Sequence, residues 1–164
     1  QPSNSLETLL DAPAPFFMVL ENIQDPGNLG TIRRTAEGAG VTGILMSRDT
    51  VDIFNPKTIR ATMGSIFRVP FVYVPELSPV LTQMHERGIH TYAAHLKGQK
   101  YYDSFSFREP TAFLIGNEGN GLTKEISDQA GQYLKIPMEG KVESLNASIA
   151  AALLMYEAHR QRNL

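Results

Sequence analysis

Short apolar runs alternate with helix-spaced apolar stripes along this chain. Phe16-Phe17-Met18-Val19-Leu20 is a continuous apolar run, the pattern of a strand buried on both faces. Thr31 to Glu37 reads as a helix that Gly38 and Gly40 can end. Val41 to Met46 reads as a second strand. Asn55-Pro56 places a capping side chain before a proline suited to the first helical position, and Ile59, Met63, Ile66 and Phe67 then recur at helical spacing. Val69 to Val74 is a third strand. Ser78-Pro79 repeats the cap-then-proline signal and opens a helix to Arg87. Ile89 to Leu96 and Ala112 to Ile115 are the fourth and fifth strands, Leu122 to Ala130 is helical, Tyr133 to Pro137 is the sixth strand, and Ser144 to Arg162 is the longest helix. Residues 1–13 are polar with two prolines and read as a loose lead-in or a short helix. This alternation predicts an α/β domain, a parallel sheet with helices on both faces. Such sheets bind ligands at the carboxyl ends of their strands, near a switch in strand order.

The loops after the strands are therefore where chemistry is sought, and three stand out. The first runs from Glu21 through Asp25-Pro26-Gly27-Asn28 to Arg33-Arg34. The second is Gly116-Asn117-Glu118-Gly119-Asn120-Gly121-Leu122. The third is Ile136-Pro137-Met138-Glu139-Gly140-Lys141-Val142-Glu143-Ser144-Leu145-Asn146. Each mixes glycines, which let backbone approach a ligand closely, with polar or charged side chains. Taken singly, Asp-Pro-Gly-Asn is a turn, and Asn28 or Ser144 is a helix cap. Three such loops at strand ends favour a shared site. A P-loop is absent, and no G-x-G-x-x-G follows the first strand.

Composition narrows the classes. A chain of 164 residues that is 42% hydrophobic suits one domain with a real core. It has no cysteine, which excludes disulfides, thiolate metal sites and cysteine nucleophiles. The four histidines form no ligand pattern, so no metal is expected. No apolar run approaches a membrane span and nothing resembles a signal peptide, so a cytoplasmic setting is expected. The net charge of −2 is a poor global footprint for a nucleic-acid binder. A local basic patch or another domain would have to supply the charge, and the chain begins at Gln1 rather than Met.

The three loop segments resemble the three motifs of the SpoU (TrmH-like) branch of the SPOUT RNA methyltransferases. Asn22 to Gly40 is similar to the first motif, Phe113 to Leu122 to the second, and Ile136 to Arg162 to the third. The stretch Asp52-Ile53-Phe54-Asn55-Pro56-Lys57 to Arg60-Ala61-Thr62-Met63-Gly64-Ser65 is similar to that family as well. The resemblance implies a parallel six-stranded sheet flanked by helices with a C-terminal deep trefoil knot, which the residue pattern alone does not predict. It implies a methyltransferase catalytic domain over 14–164 behind a lead-in segment over 1–13, with the N-terminal substrate-binding domain of many relatives absent from this chain. It also implies a homodimer with the donor pocket beside the interface. Ala147 to Met155 is apolar nearly all round, which fits burial against a second copy or against a neighbouring helix.

The reaction implied is methyl transfer from S-adenosylmethionine to a ribose 2′-hydroxyl of RNA, with ribosomal RNA favoured and transfer RNA as the alternative. A non-catalytic RNA-binding module of the same fold is the competing class. By this resemblance Ala94, Gly116, Asn117, Ile136, Met138 and Leu145 hold the cofactor. Arg34 matches the catalytic arginine, as a base or as a clamp on phosphate and hydroxyl. Asn28, Glu118, Ser144 and Asn146 match the remaining polar positions, with Asn28 orienting Arg34 and with Glu118 and Asn146 fixing the ribose or the arginine. Arg33, Lys57, Arg60 and Arg68 are the candidate RNA contacts. His95 is a candidate for approaching the donor.

Overall fold

A computed structural model describes residues 5–57, 68–95, 98–140 and 145–164. The strands are β1 (Phe16–Leu20), β2 (Gly43–Ser47), β3 (Phe71–Val74), β4 (His90–Ala94), β5 (Thr111–Ile115) and β6 (Gln132–Leu134). They form one six-stranded sheet in the order β3-β2-β1-β5-β4-β6, with every pairing parallel. The five helices described are α1 (Leu6–Leu10), α2 (Pro26–Ala39), α3 (Leu77–Glu86), α4 (Lys124–Asp128) and α5 (Ala147–Arg162).

Successive side chains of a strand point to opposite faces, so a strand apolar throughout feeds two cores. Phe16, Met18 and Leu20 of β1 pack with Leu29, Ile32 and Ala36 of α2 and with Ala151, Leu154 and Met155 of α5. Phe17 and Val19 pack on the other face with Leu9 and Leu10 of α1, Val80, Leu81 and Met84 of α3, and Ile126 of α4. Full burial of each such side chain is worth roughly 1.5–3 kcal/mol. Within the segment expected to be a lead-in, α1 is capped by Ser5, whose hydroxyl accepts from the Thr8 amide.

Four helix starts differ from the sequence reading, the smallest change being α4, which begins at Lys124 after the Thr123 cap. α2 begins at Pro26, because the Asp25 side chain accepts from the Gly27 and Asn28 amides and the proline needs no partner at that position. Asn28 therefore lies inside the first turn. α3 begins at Leu77 after Glu76, and the Ser78 hydroxyl donates to Gln129 instead of capping. α5 begins at Ala147, capped by Asn146. Ser144 lies outside the described residues. Asn55 does accept from the Lys57 amide at 2.8 Å; the rest of that expected helix, Arg60 included, lies outside the described residues.

The strands β4 and β6 stop short of their expected ends, and the segments beyond them pair with each other by backbone bonds. The His95 amide bonds the Leu134 carbonyl at 3.0 Å, the Lys135 amide the Lys100 carbonyl at 2.8 Å, and the Tyr102 amide the Lys135 carbonyl at 2.8 Å. A Cβ on Gly98 would lie 3.0 Å from the Leu134 carbonyl carbon, so the two segments meet backbone to backbone. The path expected to close the knot includes residues 141–144, outside the described residues.

Candidate active site

The strand order reverses beside β1 and β5, and the loops that leave the carboxyl ends of β1, β4, β5 and β6 gather there. The last three of these surround an open cavity of about 710 Å³. Ala94, Gly116, Asn117, Ile136, Met138 and Leu145, expected to hold the cofactor, all line it. Glu118 and His95 line it too. Tyr101, Lys135, Ala147 and Ala150 also contribute, and the sequence reading missed them. Tyr101 and Lys135 meet through an isolated parallel bridge, a long-range pairing with no local signature.

The second loop is braced against the first. The Asn117 amide donates to the Asn22 carbonyl at 2.8 Å, and its oxygen accepts from the Gly119 and Asn120 amides at 2.9 and 3.0 Å. The Glu118 carboxylate accepts from the Gln24 amide at 3.0 Å, the Asp25 amide at 2.8 Å and the Asn28 side-chain amide at 3.3 Å. Glu21 answers in the other direction, accepting from the Thr123 amide and hydroxyl. Glu118 therefore seats the N-terminus of α2, the helix that carries Arg34.

Partial burial pushes the Glu118 carboxyl up, but the Gln24 and Asp25 amides and the Asn28 side chain outweigh it and hold it below its ordinary value of 4.5. A depressed carboxyl stabilises the fold above its unfolded pKa and loses that contribution as pH falls through the folded value. Glu118→Ala is thus expected to lower Tm by roughly 2–4 °C at neutral pH, since exposure and screening keep the loss near about 1 kcal/mol. The gap from wild type narrows as pH falls below 4.5 and closes once it has passed the depressed folded value. Paired melting curves across that range check it, and a pH-independent gap would refute it.

On α2 one residue step turns the side chain by about 100°. Arg34 is exposed and Arg33 is not. Arg33 is 3% exposed, and its guanidinium carbon sits 5.0 Å from the Phe71 ring centroid. Burial lowers its pKa to about 10, against the pull of Glu37 and Tyr73, and leaves it charged at neutral pH. Arg33, expected to contact RNA phosphate, is packed by α2 against the edge strand β3. Arg68 is 76% exposed with Glu37 at 3.8 Å, and Lys57 is exposed. The Asn146 oxygen accepts from the Ser148 amide at 2.8 Å, the Ser148 hydroxyl at 2.6 Å and the Ile149 amide at 3.3 Å, so it starts α5.

His95 stacks on Tyr133 at 4.5 Å. Among the described residues no cluster of His, Asp and Glu could hold a metal ion, and no helix is long and apolar enough to cross a membrane.

A six-stranded parallel sheet of this order, with a loop-built pocket at its carboxyl edge, matches solved methyltransferases of the SPOUT type. The chain matches the SpoU rRNA Methylase family over residues 15–156 and belongs to it. It is 39% identical over 149 residues to an uncharacterized tRNA/rRNA methyltransferase of Synechocystis, covering 91% of this chain and 54% of that one. The SpoU methyltransferase AviRb of Streptomyces viridochromogenes, solved with the cofactor AdoMet, superposes with a TM-score of 0.89 at 32% identity, over 99% of this chain and 66% of that one. An AdoMet-bound rRNA methyltransferase of Sinorhizobium meliloti gives 0.88 at 35% identity, over 98% and 61%. A solved RNA 2′-O ribose methyltransferase gives 0.82 at 34% identity, over 93% and 58%. The chain thus spans between about half and two thirds of the length of these relatives.

Proposed function

We propose that this chain is the catalytic domain of an RNA 2′-O-ribose methyltransferase that uses S-adenosylmethionine, with ribosomal RNA as the favoured substrate and transfer RNA as the alternative. The observation that carries the reading is the cavity, where segments after β4, β5 and β6 converge within reach of the α2 N-terminus. Its volume of about 710 Å³ falls among small-molecule sites. Its walls fit the cofactor: Ile136, Leu145 and Ala147 offer apolar surface for adenine, and the 116–121 and 135–138 backbones offer amides and carbonyls.

Bound there, S-adenosylmethionine supplies a methyl group on a positively charged sulfur. The protein's part is to align the ribose hydroxyl with that methyl and to ease loss of the hydroxyl proton. A guanidinium is a poor base and a strong, two-pronged donor, so gripping the RNA phosphate and polarising the 2′-hydroxyl suits Arg34 better than acting as a base. Glu118 and Asn28 hold the start of its helix. Ile149, Leu153 and Tyr156 lie at helical spacing on α5 and are 51, 39 and 47% exposed, which supports a homodimer through that face.

Labelled donor incubated with total RNA is expected to leave its label on ribose, and mapping of the modified nucleotide identifies the substrate. Label on a base would refute the reaction. Donor at about a hundred times its Kd is expected to add ~2.7 kcal/mol of apparent stability. A melting temperature that ignores it would refute the cofactor.

A further inference from the structure

Phe54 is 59% exposed, more than Tyr101 or Tyr156 among the aromatic side chains. Its loop presents it in a fixed position. The Phe54 amide donates to the Asp52 carboxylate at 2.9 Å, and the Asn55 amide to the Asp52 carbonyl at 2.9 Å. The neighbouring Ile53 is fully buried, and its amide donates to the Tyr73 hydroxyl at 2.9 Å. That hydroxyl donates in turn to the Val51 carbonyl at 2.6 Å. The Phe54 ring rests edge-on against Phe71, with centroids 5.9 Å apart. A ring held in water by so many bonds forgoes the burial that ordinarily stabilises an aromatic side chain.

Its loop follows β2 at the carboxyl edge of the sheet, and the ring itself lies over the edge strand β3, against the first residue of that strand. The Val51 amide donates to the Ile23 carbonyl at 2.8 Å, one residue before the Gln24 amide that Glu118 accepts. Phe71 meets both Phe54 and Arg33. Lys57, also exposed, follows three residues after the ring. Of the two acids in the loop after β2, Asp52 spends a carboxylate oxygen on the loop's own amide and Asp49 accepts from the Ser47 hydroxyl.

We infer that Phe54 is a stacking platform for an unpaired base of the RNA substrate, with Lys57 taking the adjoining phosphate. The inference rests on the RNA methyltransferase reading. Every base offers a π face to an aromatic ring, and sequence-tolerant RNA recognition uses such platforms beside a cation.

The chain contains no tryptophan, so Phe54→Trp installs a single reporter at this position. Short oligoadenylate and oligouridylate are the probes, with binding followed separately by anisotropy of labelled copies. Emission of the Phe54→Trp variant is expected to be quenched as the oligomers bind, more by oligoadenylate. Phe54→Ala is expected to weaken oligomer binding about tenfold, with Phe54→Tyr near wild type and S-adenosylmethionine affinity unchanged in both. Oligomers that bind without changing the emission, or that bind the alanine variant as well as wild type, overturn the platform and leave the RNA reading standing. Wild type that binds neither oligomer overturns both. Emission that shifts with protein concentration in the absence of RNA places the ring against a second copy and overturns the platform.

Discussion

Arg34→Ala is expected to lower kcat/KM for methyl transfer by about a hundredfold or more, with S-adenosylmethionine affinity and Tm near wild type. The reason is geometric. Arg34 is exposed on α2, so its loss removes little packing, whereas its neighbours Ile32 and Arg33 are buried and hold the helix on the sheet. It lies outside the set of residues that line the cavity, so the cofactor should be indifferent to it. A clamp on phosphate and a partner of the 2′-hydroxyl act on the RNA and on the transition state. The loss should therefore appear in kcat and in KM for RNA together. Arg34→Lys keeps the charge but not the two-pronged geometry and is expected to recover only part of the rate. Single-turnover kinetics beside calorimetric titration of the cofactor separate these effects. Transfer near the wild-type rate would remove both the clamp and the base from consideration.

Gly116→Ala is expected to cost more than tenfold in S-adenosylmethionine affinity and to lower Tm. A Cβ there would lie 2.2 Å from the Gly121 carbonyl carbon and 2.2 Å from the Leu122 amide nitrogen. Both are backbone atoms, so the loop itself must move. Overpacking of this kind costs typically 1–3 kcal/mol. The same loop carries Asn117 and Glu118, whose bonds reach Asn22, Gln24, Asp25 and Asn28, so the disturbance spreads from the cavity wall to the start of α2. Gly119→Ala is the control. Its Cβ would meet only the Asn117 side-chain oxygen at 3.6 Å, an ordinary contact, and it should bind cofactor as wild type does. If the two variants behaved alike, close packing at Gly116 would not be what shapes the pocket.

Gly116 also carries a packing constraint that the sequence reading did not foresee. Its glycine suits close backbone approach, and the sequence reading assigned that approach to the cofactor. In the fold the close neighbour is the loop's own return at Gly121 and Leu122. Asn28 moved in a similar way. Asp-Pro-Gly-Asn reads locally as a turn, yet Asp25 caps α2 and Pro26 begins it, leaving the Asn28 side chain to bond Glu118 across the site. Glu118 shows no local signal for its three donors, since all belong to residues some ninety positions away.

Six strands, the parallel sheet and the loops that carry the site were legible in the sequence alone, because continuous apolar runs, helix-spaced stripes and glycine-polar loops are properties of neighbouring residues. Family motifs within those loops located the residues that line the cavity. Tertiary structure alone decided which of two adjacent arginines faces water, since only the position of β3 against α2 buries Arg33 and leaves Arg34 outside. It alone brought Tyr101 and Lys135 to the cavity and exposed Phe54 on a fixed loop. Those outcomes depend on pairings between distant segments, and distance along the chain carries no periodicity from which such pairings can be read.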